Sequence, residues 1–371
     1  MARGLTIRLV ACDWQTPLAE IDTFESATVI QRFNELSTWE LVMPSTTPAA
    51  AVLLNSPMPR VLVINAADGS VLQSGPVVRF ETSSDVDGDV VHLYGTDDMV
   101  WLRRRIVHPE PGTVAPPYNH QAYDVATGAA STVLAGYVSR NAGPAALPAR
   151  QVPGLTVPTP APFGPTITLS GRYQNLLEFV QQAAGSAGLG VRVRNLTFET
   201  FVPSGGAIFS VDLGTLASWR STRDAPDVNY VYVGGGGDGT ARVVREYQSV
   251  PSVQDWGRFE TFQDRRDTTA TADMDQAAAE TLADGVHPTM VEMDALDTIS
   301  QRFLRDWSVG DLATVRIGTT SIRDVISQAT ITMEPNRPAV VTPLLGDGSV
   351  TLAQWRALDI ANRRIRQLER N

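Results

Sequence analysis

Asn229–Gly239 reads NYVYVGGGGDG, an alternating strand that runs into a glycine-rich turn. The alternation has the two-residue period of a strand, and glycine admits the positive φ angles that a tight turn needs. An alanine-rich helix follows over Asp273–Leu282. Trp307–Pro335 then reads WSVGDLATVRIGTTSIRDVISQATITMEP. This order of strands, tight turns and a barrel-like meander points to assembly machinery. It offers no nucleophile, no metal cage and no phosphate cradle.

A chain of 371 residues holds about two to four modest domains. Its 43% hydrophobic content is ordinary for a soluble globular protein. No apolar run is long enough for a membrane-spanning helix. The opening MARGLTIRLVACDWQ lacks the apolar stretch of a secretory signal, so synthesis in a cytoplasm is expected. Cys12 is the single cysteine, which excludes an intramolecular disulfide, and its setting suits a buried strand thiol.

All 30 basic residues are arginine. The absence of lysine removes Schiff-base chemistry, the phosphate-loop lysine and the kinase lysine. The formal net charge is -10, with a pI near 4.9. The general surface is therefore unsuited to binding nucleic acid, whereas an acidic wall would let DNA pass without sticking.

Residues 1–105 read as β structure. Leu5–Val10 alternates, and Thr28 to Met43, within SATVIQRFNELSTWELVMP, gives two strands around a polar centre. Pro44–Leu54 reads as a short helix. Arg60–Asn65, Val71–Glu81 and Val90–Gly95 are strands joined by turns at Asp68-Gly69 and Asp87-Gly88. Such spacing suggests a sandwich or small barrel. Residues 106–165 are broken by prolines and read as a loop or extended arm, with a helix over Asp124–Ser139. Gly171–Gly188 reads as a helix ending at Gly188, with strands at Gly190–Arg194 and Ala207–Leu213. Thr289–Ala295 alternates as a strand. Val309–Thr332 reads as three strands with a turn at Gly318-Thr319-Thr320. Finally Thr351–Asn371 reads as a short amphipathic helix. Leu358, Ala361, Ile365 and Leu368 form its seam, with Trp355 one turn upstream.

The candidate chemical motifs all carry bland readings. Gly234–Gly239 lacks the Gly-Lys-Ser/Thr ending of a phosphate loop and reads as a flexible hairpin tip. Asp85–Asp89 resembles the start of a calcium loop, but the twelfth position is Thr96 rather than glutamate, which leaves a turn with solvated carboxylates. His92, His108, His120 and His287 lack zinc-ligand spacing. There is no Gly-x-Ser-x-Gly elbow, and with 40 acidic residues any chosen carboxylate pair is uninformative. No catalytic, cofactor or metal residue is assigned. Arg103, Arg104 and Arg105, beside Trp101, read as an intersubunit salt-bridge patch, with an anion or nucleic-acid contact as the alternative. The seam of Trp355, Leu358, Ala361, Ile365 and Leu368 reads as a contact for a protein partner.

Four segments resemble the Gp-thirty-seven-like minor tail family of actinobacterial siphophages, and more distantly the trimeric hub proteins of phage tail tips and baseplates. HLYGTDDMVWLRRR (His92–Arg105) is similar to that family's strand, aspartate-rich turn and Leu-Arg element. YQNLLEFVQQAAGSAGLGVRV (Tyr173–Val193) is similar to its helix, Gly-Leu and strand. DVNYVYVGGGGDGTARVVREY (Asp227–Tyr247) looks like its strand, glycine turn and strand, and DWSVGDLATVRIG (Asp306–Gly318) like its entry into the last barrel.

The resemblance covers about the whole chain except the proline-rich 106–165. It implies an α+β, mainly β fold with two tail-tube-like β-barrel domains, an inserted α/β domain and a C-terminal amphipathic helix. The expected division is 1–105 as first barrel, 106–165 as arm, and 166–226 plus 251–296 as the α+β domain. Residues 227–250 plus 297–345 would be the second barrel, and 346–371 the helix. The resemblance further implies a homotrimer at the virion tail tip, its barrels forming a pseudo-hexameric ring around passing DNA. Its expected partners are a distal tail or tail-tube protein, a tape-measure protein and receptor-binding proteins of the tail tip. The competing expectations are a virion-associated glycan hydrolase or depolymerase and a carbohydrate-binding adhesin.

Overall fold

The computed structural model describes residues 5–346, except 12–15, 57–58, 66–68, 86–87, 119, 267–268, 286–289, 297, 299–300, 319, 336 and 338. The expected C-terminal helix, Cys12, His287 and the turn residues Asp68 and Asp87 lie outside the described residues. The chain divides into two compact units. The first comprises Met1–Trp219 and Met293–Leu345, and the second is built on Arg220–Glu292.

In chain order, the first strands are β1 (Leu5–Val10), β2 (Pro17–Ile21), β3 (Ser26–Arg32) and β4 (Thr38–Pro44). They are followed by α1 (Pro48–Asn55), β5 (Arg60–Asn65), β6 (Val71–Asp85) and β7 (Gly88–Thr96). Next come α2 (Val100–Arg103), β8 (Asp124–Ala129), α3 (Ala130–Asn141), β9 (Thr166–Gly171), α4 (Leu176–Ser186), β10 (Gly190–Arg194), β11 (Thr197–Phe201) and β12 (Ala207–Ser210). After β13 (Leu216–Thr222) stand β14 (Tyr230–Gly234), β15 (Val244–Gln248), α5 (Val250–Trp256), β16 (Glu260–Asp264) and α6 (Thr271–Asp284). The chain closes with β17 (Met290–Ala295), β18 (Leu312–Ile317), β19 (Thr320–Met333) and β20 (Val340–Leu345).

In the first unit the strand order runs β20-β19-β3-β4-β7-β6-β5-β1-β2, with β18 joining β19 to β12. Two long strands organise it. β6 pairs with β5 through Pro76, then with β7 from Val77, and its register shifts between Val77 and Arg79. β19 pairs with β18 over Thr320–Val325 and with β3 over Gln328–Met333. Such irregularities bend a strand and let it change partners. The layers so formed enclose a core that includes Leu9, Val29, Leu41, Met43, Val61, Val63, Leu93 and Ile331. Alternation places the residues: in β4, Trp39, Leu41 and Met43 are buried while Glu40 is exposed. Each such large side chain contributes about 1.5–3 kcal/mol of burial. Thr47 starts α1 by accepting from the Ala50 amide at 3.2 Å, and Leu53 seats the helix on the core.

A second core in the same unit is built from residues 99–198. Tyr137, Leu134 and Val138 of α3 meet Leu176, Leu177 and Val180 of α4, and the Tyr137 and Phe179 rings sit edge to face at 4.8 Å. Val107, Val152 and Leu155, from the proline-broken 106–165, are buried here as well. That segment is therefore packed rather than an extended arm. Its expected helix over Asp124–Ser139 is a strand, β8, followed by α3. The helix expected to begin at Gly171 begins instead at α4, where Asn175 accepts from the Leu177 amide at 3.0 Å.

In the second unit β14 lies between β15, antiparallel, and β16, parallel. Val231 and Val233 pack on Met274 and Ala278 of α6.

The expected barrels are corrected to open sheets. Among the described residues the two ends of the long strand path do not pair with each other, and β14–β15 pair with β16 rather than with β18–β20. Local strand signals carry no information on such partners. Residues 309–332 also form two strands rather than three, because β19 continues unbroken through its bend.

Candidate assembly site

The aspartate-rich turn after β7 is where the two cores of the first unit are tied together. Asp98 is fully buried and pairs with the buried guanidinium of Arg60 on β5. The Arg60 Nε donates to Asp98 Oδ1 at 3.1 Å. Ser74 Oγ of β6 donates to Asp98 Oδ2 at 2.5 Å, and the Leu196 amide of the β10–β11 turn donates to the same oxygen at 3.3 Å. The Asn195 amide in turn donates to Ser74 Oγ at 2.8 Å. One carboxylate thus holds strands of the sheet core to the hairpin of the second core. Asn195 and Leu196 sit at φ 45 and φ 61, a left-handed turn that non-glycine residues adopt only when surroundings enforce it. Gly75 is required at this crossing, because a Cβ there would lie 1.8 Å from the Thr96 carbonyl oxygen.

Asp97 faces the other way. Its carboxylate accepts from the Ser37 amide at 3.0 Å and the Met99 amide at 3.1 Å. Burial pushes its pKa up to about 7, although the Ser37 hydrogen bonds oppose the rise.

The arginine cluster separates into two kinds of residue. Arg105 is half-buried, and its Nε donates to the Arg150 carbonyl at 2.9 Å. Burial, and then the neighbouring Arg104, lower its pKa. Asn175 Nδ2 donates to the Arg103 carbonyl at 2.7 Å and the Leu176 amide to the Arg105 carbonyl at 3.0 Å, so the backbone here ties α2 to α4. Only the side chains of Arg103 and Arg104 are exposed. The Arg104 guanidinium lies over the Trp101 ring at 5.0 Å, and among the described residues neither arginine has an ion-pair partner. Trp355, Leu358, Ala361, Ile365 and Leu368 lie outside the described residues.

The glycine tract is a loop turned inward on an arginine. Arg242 donates through Nε to the Gly235 carbonyl at 3.0 Å and through Nη2 to the Gly234 carbonyl at 2.9 Å. Carbonyls directed at a cation are the reverse of the amides that cradle phosphate. Among the described residues no group of three or more His, Cys, Asp or Glu side chains is placed to hold a metal ion. Also among them, no helix is long and apolar enough to cross a membrane.

Sequence reading missed an exposed tyrosine cluster. Tyr118, Tyr123 and Tyr173 are each more than two-fifths exposed. Tyr173 OH donates to the Tyr118 carbonyl at 3.2 Å, and Arg172 lies over the Tyr123 ring at 5.7 Å. The three tyrosines come from separated positions, so no periodic signal marks them.

The fold is that of phage tail structural proteins. A 43 kDa tail protein of prophage MuSo2 from Shewanella oneidensis aligns with a TM-score of 0.62 at 10% identity, covering 92% of this chain and 98% of that one. A tail protein from Neisseria meningitidis MC58 aligns with a TM-score of 0.59 at 12% identity, covering 94% and 98%. Prophage tail protein gp18 from Listeria monocytogenes EGD-e gives 0.55 at 12% identity, covering 95% and 97%. Residues 13–347 match the family described as Siphovirus ReqiPepy6 Gp37-like protein, and the chain belongs to that family. No curated protein matches it in sequence.

Proposed function

We propose that this chain is a hub subunit of a phage tail tip, joining the tail tube to the distal parts of the tail. The observation that carries the reading is the set of open sheets within a phage-tail fold. β2, β15 and β16 each end a sheet, with one neighbouring strand apiece among the described residues. Free edges of this kind are templates for pairing with another chain, which a ring-forming subunit uses and a monomer must blunt. In this reading three copies form the ring, and the acidic balance keeps passing DNA from sticking to the bore. Arg103 and Arg104 meet acidic residues of a neighbour, and the 351–371 seam meets a protein partner. Neighbours of the ring are a distal tail or tail-tube protein, a tape-measure protein and receptor-binding proteins. The role is mechanical, and no reaction is assigned to it. Solution mass by light scattering, alone and with the adjoining tail proteins, tests it. A trimer supports the hub; a monomer under both conditions sinks it.

A second reading, a carbohydrate-binding adhesin, draws on the exposed tyrosines. Aromatic faces at Tyr118, Tyr123 and Tyr173 suit the apolar face of a sugar ring. Binding of host-wall glycans that Tyr123→Ala abolishes would favour it.

A further inference from the structure

A half-open cleft of about 60 Å³ lies in the first unit, between the β3–β4 turn, β6 and the β10–β11 hairpin. Gln73 lines it. This side chain is only 5% exposed, and its Nε2 has no hydrogen-bond partner among the described residues. A buried amide donor without a partner is costly, so a native fold that keeps one leaves a position for an acceptor.

Arginines supply the charge. Arg32, Arg192 and Arg194 all line the same cleft, on a chain whose net charge is -10. Arg192 is answered by Glu199, its Nε lying 2.5 Å from Glu199 Oε2. Among the described residues Arg32 donates only to neutral acceptors, the Leu36 carbonyl at 3.1 Å and Thr38 Oγ1 at 3.3 Å. Arg194 is half-buried and makes no ion pair among the described residues. Burial lowers its pKa, with Arg192 adding to the effect and Glu199 opposing it. The opposing charge in the lining is Asp97, whose carboxylate is occupied by the Ser37 and Met99 amides.

Gln73 and Arg194 both line the cleft, and the chain segments that carry them are joined at the junction already described. Ser74, next to Gln73, accepts from the amide of Asn195, next to Arg194, at 2.8 Å. Among the described residues neither the Gln73 amide nor the Arg194 guanidinium has an acceptor, and both line one recess, where a charged oxygen suits their chemistry.

We propose that this cleft is an oxyanion site, in which Arg194 and the Gln73 amide grip one carboxylate or phosphate group from outside the chain. The size suits one such group. A phosphate would be a free ion, whereas a carboxylate fits an acidic side chain of a neighbouring protein.

The test uses the full chain at constant ionic strength in sodium chloride, sodium phosphate or sodium acetate, so that screening is equal. The unfolding temperature is expected to rise in phosphate or acetate above its value in chloride. Arg194→Gln and Gln73→Leu are each expected to weaken the apparent affinity about tenfold, the loss of one charge-assisted contact. A response to phosphate alone assigns a free ion, and a response to acetate alone a carboxylate. A response to both assigns oxyanions in general. No rise in either anion overturns the proposal, as does a full response in both variants. Should Arg194→Gln fail to fold in chloride, the Gln73 side-chain amide resonance of the unaltered protein decides. It shifts on phosphate or acetate addition if the site is real and stays put if it is not.

Discussion

Replacing Asp98 by alanine should destabilise the first unit by about 3–5 kcal/mol, the usual consequence of removing one member of a buried ion pair. The structure explains the size. The Arg60 guanidinium, 1% exposed, would keep its charge and lose its carboxylate. Ser74 Oγ and the Leu196 amide would lose their acceptor too. The left-handed Asn195–Leu196 turn would lose one of the contacts that enforce it. Arg60→Met alone should also destabilise, but Arg60→Met with Asp98→Ala should cost less than the sum by about 2 kcal/mol, because the two members of one pair are then removed together. A chain of two compact units need not unfold in one step, so the assay is native-state hydrogen exchange at the amides of β4 and β7, whose ladder neither substitution touches. The reasoning is refuted if Asp98→Ala costs under about 1 kcal/mol or the two substitutions simply add.

Other outcomes follow from the same geometry. The folded-state pKa of Asp97, about 7, lies above its ordinary value of 3.8. Its contribution is therefore fully present below the unfolded value and is lost as pH rises through about 7. Asp97→Asn should flatten that fall, visible as a smaller stability difference between acid and neutral pH; an unchanged profile would show that Asp97 does not titrate there. Gly75→Ala should cost about 3 kcal/mol or more by denaturant unfolding, since its Cβ meets backbone rather than a movable side chain. Gly185→Ala, exposed on α4 with nothing within 4 Å, should instead stabilise by about 0.5–1 kcal/mol in the same unfolding series. Arg103→Glu with Arg104→Glu should leave stability within about 0.5 kcal/mol yet lower incorporation into tails, scored by particle composition. Normal incorporation would remove these two residues from the proposed interface.

Much of the local structure was legible because local physics decides it. Alternation marks β1, β3, β4 and β5, the Gly188 stop is present at φ 66, and Asn175 is an ordinary helix cap. Partner choice was not legible. β3 pairs with β19 across most of the chain, and β14 takes a parallel neighbour in β16, while a single sequence shows only that each is a strand. Prolines misled in 106–165, where they punctuate a packed region whose apolar residues, Val107 to Leu155, are too scattered to show a period. At the candidate site, the arginine run was visible but not its division. Arg105 turns inward because the Arg150 carbonyl, far along the chain, is there to receive it. Asp97 and Asp98 were legible only as an aspartate-rich turn, since nothing local reveals that Arg60 and Ser74 wait on either side.

The central claim is that this chain is a ring-forming hub at the tip of a phage tail. Electron microscopy of tails carrying a tagged copy tests it most directly. The account predicts density for three copies in a ring at the distal end, coaxial with the tube and around its bore. Tails that lack the chain, or carry it as separate appendages away from that axis, would contradict it.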